Sequence, residues 1–113
     1  MSAITTHVLD TAKGRPGSGI NVVLEFKDKD KWDEVGSGQT NFDGRLPDLV
    51  KDGFHLTEGV YRLTFDTHSY YESQKEVGFY PQVSIVFEVK DPTQHYHVPL
   101  LLSPFGYQTY RGS

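Results

Sequence analysis

A chain of 113 residues, 36% hydrophobic and 23% charged, has the size and make-up of one globular domain. Eleven basic residues against fifteen acidic ones give a net charge of −4, which argues against the basic face of a nucleic-acid binder. The absence of cysteine excludes a disulfide framework, a thiolate metal site and a Cys nucleophile.

The start, MSAITTHVLD, lacks the charged and apolar regions of a signal peptide, and no apolar run approaches the roughly 18–20 residues of a membrane span. A cytoplasmic protein with no membrane partner is therefore expected. The first element is ITTHVLDT. As a strand it sets Ile4, Thr6 and Val8 on one face and His7 and Leu9 on the other. The turn residues KGRPGSG then separate it from NVVLEFKD, where Val22, Leu24 and Phe26 alternate with Val23, Glu25 and Lys27. WDEVGSGQT is a weaker strand signal. NFDGR holds an Asp-Gly turn and is followed by Arg45. His55 lies among further turn residues, where it reads as a solvated side chain.

GVYRLTFDT returns to a period of two, with Tyr61, Leu63 and Phe65 on one face. HSYYESQKEV predicts the chain's one helix, about two turns that begin near His68 and close at Gly78 and Pro81. His68 there reads as another surface residue. In PQVSIVFEVK, Val83, Ile85, Phe87 and Val89 share a face. After KDPTQ, the two halves of HYHVPLLLSPFGYQTYRGS read as strands. Seven or eight short antiparallel strands at this spacing predict a β-sandwich or a small barrel, with the sandwich favoured. Its expected core is Leu24, Phe26, Tyr61, Leu63, Phe65, Ile85 and Phe87.

The chemistry-bearing residues cluster late. In HYHVPLLL the apolar set Tyr96, Val98, Leu100 and Leu102 takes the core, so His95, His97 and Pro99 face away from it. The two imidazoles then stand roughly 6.5–7 Å apart at the strand rise. Two readings are open: polar residues on a wet face, or a site. His-x-His on a strand is also a metal-ligand spacing, but no carboxylate or cysteine pattern completes it. His7 has the same ambiguity, and three histidines meet only if the first and last strands are neighbours. Arg45 reads as a loop residue or as a fixed cation aimed into a cleft.

The string THVLDTAKGRPG, the segment TNFDGRL, the stretch FYPQVSIVFEV and above all the ending Tyr110-Arg111-Gly112-Ser113 resemble the transthyretin-like 5-hydroxyisourate hydrolases, over the whole of residues 1–113. The resemblance implies an all-β, transthyretin-like (prealbumin-like) sandwich of two sheets and about eight strands with one short helix. It implies a single domain and a homotetramer, a dimer of dimers, with sites where dimers meet and the C-terminal strand in their walls. The implied substrate is a cyclic ureide, opened by water. Carried over by motif, the catalytic residues are His7, Arg45, His95 and Ser113, and the substrate-binding ones are His7, Arg45, Tyr110 and, less firmly placed, His97. No metal or other cofactor is implied. Transthyretin itself, the hormone carrier, shares the fold without this tail or histidine set. A carrier of small aromatic ligands and a His-bound zinc hydrolase are the competing readings.

Overall fold

The computed structural model describes residues 3–113. Among these, two four-stranded sheets face each other. The strands are β1 (Ile4–Asp10), β2 (Arg15–Pro16), β3 (Asn21–Asp28), β4 (Lys31–Gln39), β5 (Gly59–Phe65), β6 (Val83–Val89), β7 (Tyr96–Ser103) and β8 (Gly106–Thr109), with the helix α1 (Thr67–Ser73) between β5 and β6. One sheet runs β2-β1-β7-β8 and the other β4-β3-β5-β6. The transthyretin-like sandwich is therefore the observed fold.

Alternation in sequence becomes alternation in burial. In β1, Ile4, Thr6, Val8 and Asp10 are buried while Thr5, His7 and Leu9 are only partly so. In β7, Tyr96, Val98, Leu100 and Leu102 turn inward. They meet Val22, Leu24, Tyr61, Leu63, Phe65 and Ile85 from the facing sheet. Phe26 and Phe87, expected in the core, lie at its rim instead. Both flank the Tyr61 ring, with centroids 5.0 and 5.9 Å away.

Two features depart from the sequence reading, and one faint strand signal is borne out. The strands are not all antiparallel, because β1 and β7 pair in parallel, Ile4 opposite Tyr96 through Asp10 opposite Leu102. These strands lie far apart in the chain, so no hairpin dictates their direction. β4 is a full nine-residue strand despite its weak signal. Its glycines explain the weak signal: a Cβ on Gly36 would stand 2.1 Å from the Leu49 carbonyl oxygen, and one on Gly38 would stand 2.8 Å from Leu46. The helix also stops early. Asp66 caps its start by accepting the Ser69 N–H at 3.1 Å. It ends at Ser73, and Lys75 then takes a left-handed conformation with φ 57°.

The helix is tied to the sheet that carries the chain ends. Asp10 is 1% exposed, and its carboxyl accepts the Tyr70 hydroxyl at 2.6 Å. Tyr70→Phe keeps the ring and removes this donor, so it should lower unfolding free energy by about 1–3 kcal/mol, the cost of an unmet buried polar group. Urea unfolding measures it. A loss under about 0.5 kcal/mol would show that the bond is dispensable.

Candidate active site

The parallel register sets the outward faces of β1 and β7 side by side. Thr5 lies opposite His97, and His7 opposite Pro99. The Thr5 hydroxyl stands 3.0 Å from His95 Nε2 and 2.8 Å from His97 Nδ1. Three histidines thus gather on one face of one sheet, as the sequence required of neighbouring terminal strands. His95 is exposed, while His97 and His7 are partly buried.

Arg45 reaches this face through a tight turn. Asn41 Oδ1 accepts the N–H groups of Asp43 and Arg45 at 2.9 and 3.0 Å. Gly44 has φ 76°, and its carbonyl accepts the Val8 N–H at 2.8 Å. A Cβ there would stand 2.3 Å from the Val8 carbonyl oxygen, so glycine is required for conformation and for space. The turn lays Arg45 beside His7 in an isolated antiparallel bridge.

The tail closes the site. The Gly112 N–H donates to the His97 carbonyl at 2.8 Å, and a Cβ on Gly112 would stand 2.6 Å from Cδ2 of the His97 ring. Arg111 holds the tail down. Its Nη2 donates to Gln94 Oε1 at 2.8 Å and to the His95 carbonyl at 3.3 Å. Its guanidinium lies 4.4 Å from the Tyr96 ring centroid. Ser113 therefore comes to rest in the cleft.

That cleft holds about 300 Å³. Thr5, Arg45, His95, His97 and Ser113 form its polar walls, and Leu46 and Pro47 its apolar ones. A larger hollow of about 750 Å³ lies by the loop from Asp48 to Leu56 but gathers no imidazole cluster. His7 stands beside the cleft, one pleat along β1 from Thr5. Tyr110 does not join it: this side chain lines a separate groove with Ile85, Phe87 and Val98, between the open edges at β6 and β8. His55 and His68 lie elsewhere on the surface, His68 paired with Glu72 at 3.4 Å. Sequence reasoning missed Thr5 and the anchoring role of Arg111. A threonine in a strand carries no signal of its own.

Electrostatics favour neutral imidazoles. Burial lowers the His97 pKa below the ordinary 6.5, and the charges of Arg45, His7 and His95 lower it further. A ring hydrogen bond to the Thr5 main chain opposes them. His7 is lowered by burial and then by Arg45, against a hydrogen bond to the Asp43 main chain and the Asp43 charge. Among the described residues, no group of three or more His, Cys, Asp or Glu side chains is placed to hold a metal ion. No helix among them is long and apolar enough to cross a membrane.

A model of the HIUase/Transthyretin family matches residues 4–112. The chain belongs to this family. It is 46% identical over 112 residues to a probable 5-hydroxyisourate hydrolase of Caenorhabditis elegans, covering 99% of this chain and 82% of the other. Among solved structures, the 5-hydroxyisourate hydrolase of Klebsiella pneumoniae superposes with a TM-score of 0.84 at 29% identity, over 97% of this chain and 98% of the other. Sea bream transthyretin in complex with thyroxine superposes with a TM-score of 0.90 at 30% identity, over 98% of this chain and 95% of the other. A hydrolase and a transthyretin solved with thyroxine thus share the fold, and fold alone does not set function.

His7 and His97 should titrate below 6.5, and Arg45→Gln should raise both midpoints, because it removes a positive charge that disfavours protonation. Histidine ring signals followed by NMR against pH report this. Midpoints unmoved by the substitution would take the guanidinium out of the site.

Proposed function

We propose that this chain hydrolyses 5-hydroxyisourate, opening its cyclic amide with water to give 2-oxo-4-hydroxy-4-carboxy-5-ureidoimidazoline. The observation that carries the reading is His97: a partly buried imidazole beside a guanidinium, with its Nδ1 held by Thr5. Its Nε2 is left for a water. A base whose pKa lies below 6.5 is unprotonated at neutral pH and ready to accept a proton.

The steps then follow. His97 takes a proton from water as the oxygen attacks the amide carbonyl. Arg45 stabilises the oxyanion that builds there. The C–N bond breaks, and the proton returns from His97 to the leaving nitrogen. His7 and His95 orient substrate and water, and Ser113 binds the substrate's polar rim. Tyr110, turned toward another groove, would reach substrate only across an interface between subunits. The resemblance carried His95 over as catalytic and left the identity of the base open; this scheme assigns the base to His97, which is less exposed than His95 and lies within reach of the Arg45 charge. No metal takes part in this scheme.

A tetramer with sites between dimers belongs to the same proposal. It is supported by the unpaired outer edges of β6 and β8 and by the exposed Val86 and Tyr110 along them, 60% and 54% accessible. The cytoplasm is the proposed compartment. A carrier of an apolar hormone is the second reading, favoured only by the shared fold. Its ligand calls for a mainly apolar site, whereas this cleft presents two imidazoles and a guanidinium.

The experiment is to form 5-hydroxyisourate in situ from urate and follow its absorbance with and without the protein. Decay should be faster with the protein and stay so after chelation. His97→Ala, His7→Ala and Arg45→Ala should each cut turnover by roughly 10²-fold or more, as loss of a base or charge stabiliser does. His55→Ala and His68→Ala should leave it unchanged. Decay no faster than the spontaneous rate would reject the enzyme, and a collapse on chelation that zinc reverses would reject the metal-free scheme.

A further inference from the structure

We propose that Thr5 is a positioning residue whose hydroxyl fixes the tautomers of His95 and His97 together, so that His97 presents an unprotonated Nε2 to the cleft. Its kinetic consequence rests on the hydrolase reading above, but its geometry does not.

The Thr5 hydroxyl lies 3.0 Å from His95 Nε2 and 2.8 Å from His97 Nδ1. A hydroxyl has a single hydrogen to donate and two lone pairs. It cannot serve two bare ring nitrogens at once, so at least one ring must direct an N–H at it. The tautomers of the two rings are therefore linked through one atom.

Geometry favours His97 as the ring that donates: its Nδ1 stands 2.8 Å from the Thr5 hydroxyl, against 3.0 Å for His95 Nε2, and His97 is the less exposed of the two rings. A proton on His97 Nδ1 serves the hydroxyl oxygen. Thr5 then passes its own hydrogen to His95 Nε2, leaving the His95 proton on Nδ1. His97 keeps a lone pair on Nε2, the nitrogen a base must use. A histidine ring left to water favours the opposite form, with the proton on Nε2, so the site needs a device of this kind.

The hydroxyl is well fixed. Thr5 lies opposite His97 within the parallel ladder, and its neighbour Thr6 is 1% exposed and donates to the Val98 carbonyl at 2.6 Å. A β-branched side chain on such a strand has little rotameric freedom. Serine keeps the hydroxyl and loses a methyl. Valine keeps the shape and loses the hydroxyl. The pair separates the hydrogen bond from packing.

The test uses the full chain, with folding of each variant confirmed by amide spectra. Ring nitrogen–proton correlation spectra of 15N-labelled protein should show His97 protonated at Nδ1 in the wild type and in Thr5→Ser. In Thr5→Val it should move toward the Nε2-protonated form. Turnover should fall in Thr5→Val by roughly ten- to a hundred-fold, the range for removing an orienting partner of a functional histidine, with KM little changed. Thr5→Ser should recover most of it. A wild-type ring pattern in Thr5→Val, or equal impairment in both variants, overturns the proposal. If the wild type itself fails to hasten hydroxyisourate loss, the hydrolase reading fails, while the ring spectra still decide the role of Thr5.

Discussion

The parallel pairing of β1 with β7 is the constraint on which the site depends. It brings together residues separated by about ninety positions, as the Thr5–His97 hydrogen bond shows. Because side chains alternate along a strand, a slip of one residue would turn one strand's set to the other face. The register is held from the inside. Ile4, Val8, Tyr96, Val98, Leu100 and Leu102 are buried together, and each outward residue takes its place as a consequence. The core therefore specifies the site without contributing a reactive group to it.

Two local devices complete what the ladder begins. The Asn41–Arg45 turn delivers a guanidinium to the imidazoles, and the clamp made by Arg111 brings the tail back across His97. Arg45 then acts on the histidines through charge. A neutral base beside a fixed cation is a chemically consistent pair: the cation stabilises negative charge on a reacting carbonyl and keeps the base unprotonated. Burial acts in the same direction on His7 and His97.

Much of this was legible in the sequence, for physical reasons. β3, β5 and β6 each have one dry face, and an alternating pattern is the direct image of that. β4 was faint because Gly36 and Gly38 sit where the chain segment around Leu46 and Leu49 presses against the strand. The rim positions of Phe26 and Phe87 were hidden because periodicity reports a face and not a depth. The direction of β1 against β7 was invisible, since no hairpin joins them. At the site, motif resemblance named Arg45, His95, His97 and Ser113, which line one cleft, and His7, which stands beside it. It also named Tyr110, which the chain turns toward a different groove. Thr5 was not legible, because its importance comes only from what the ladder places opposite it.

The proposed activity depends on the seating of the tail over His97, beyond the mere presence of these groups. Gly112 offers the cleanest probe. It has no side chain to contribute and is not among the glycines with positive φ, so alanine suits its backbone. The added methyl has one neighbour to displace, the His97 ring, at 2.6 Å. The decisive measurement is the turnover of Gly112→Ala on 5-hydroxyisourate, read beside its unfolding midpoint. A large loss of turnover with a stability close to that of the wild type is expected. Full turnover with the methyl in place would contradict it, because the base and the tail would then not be working as one structure.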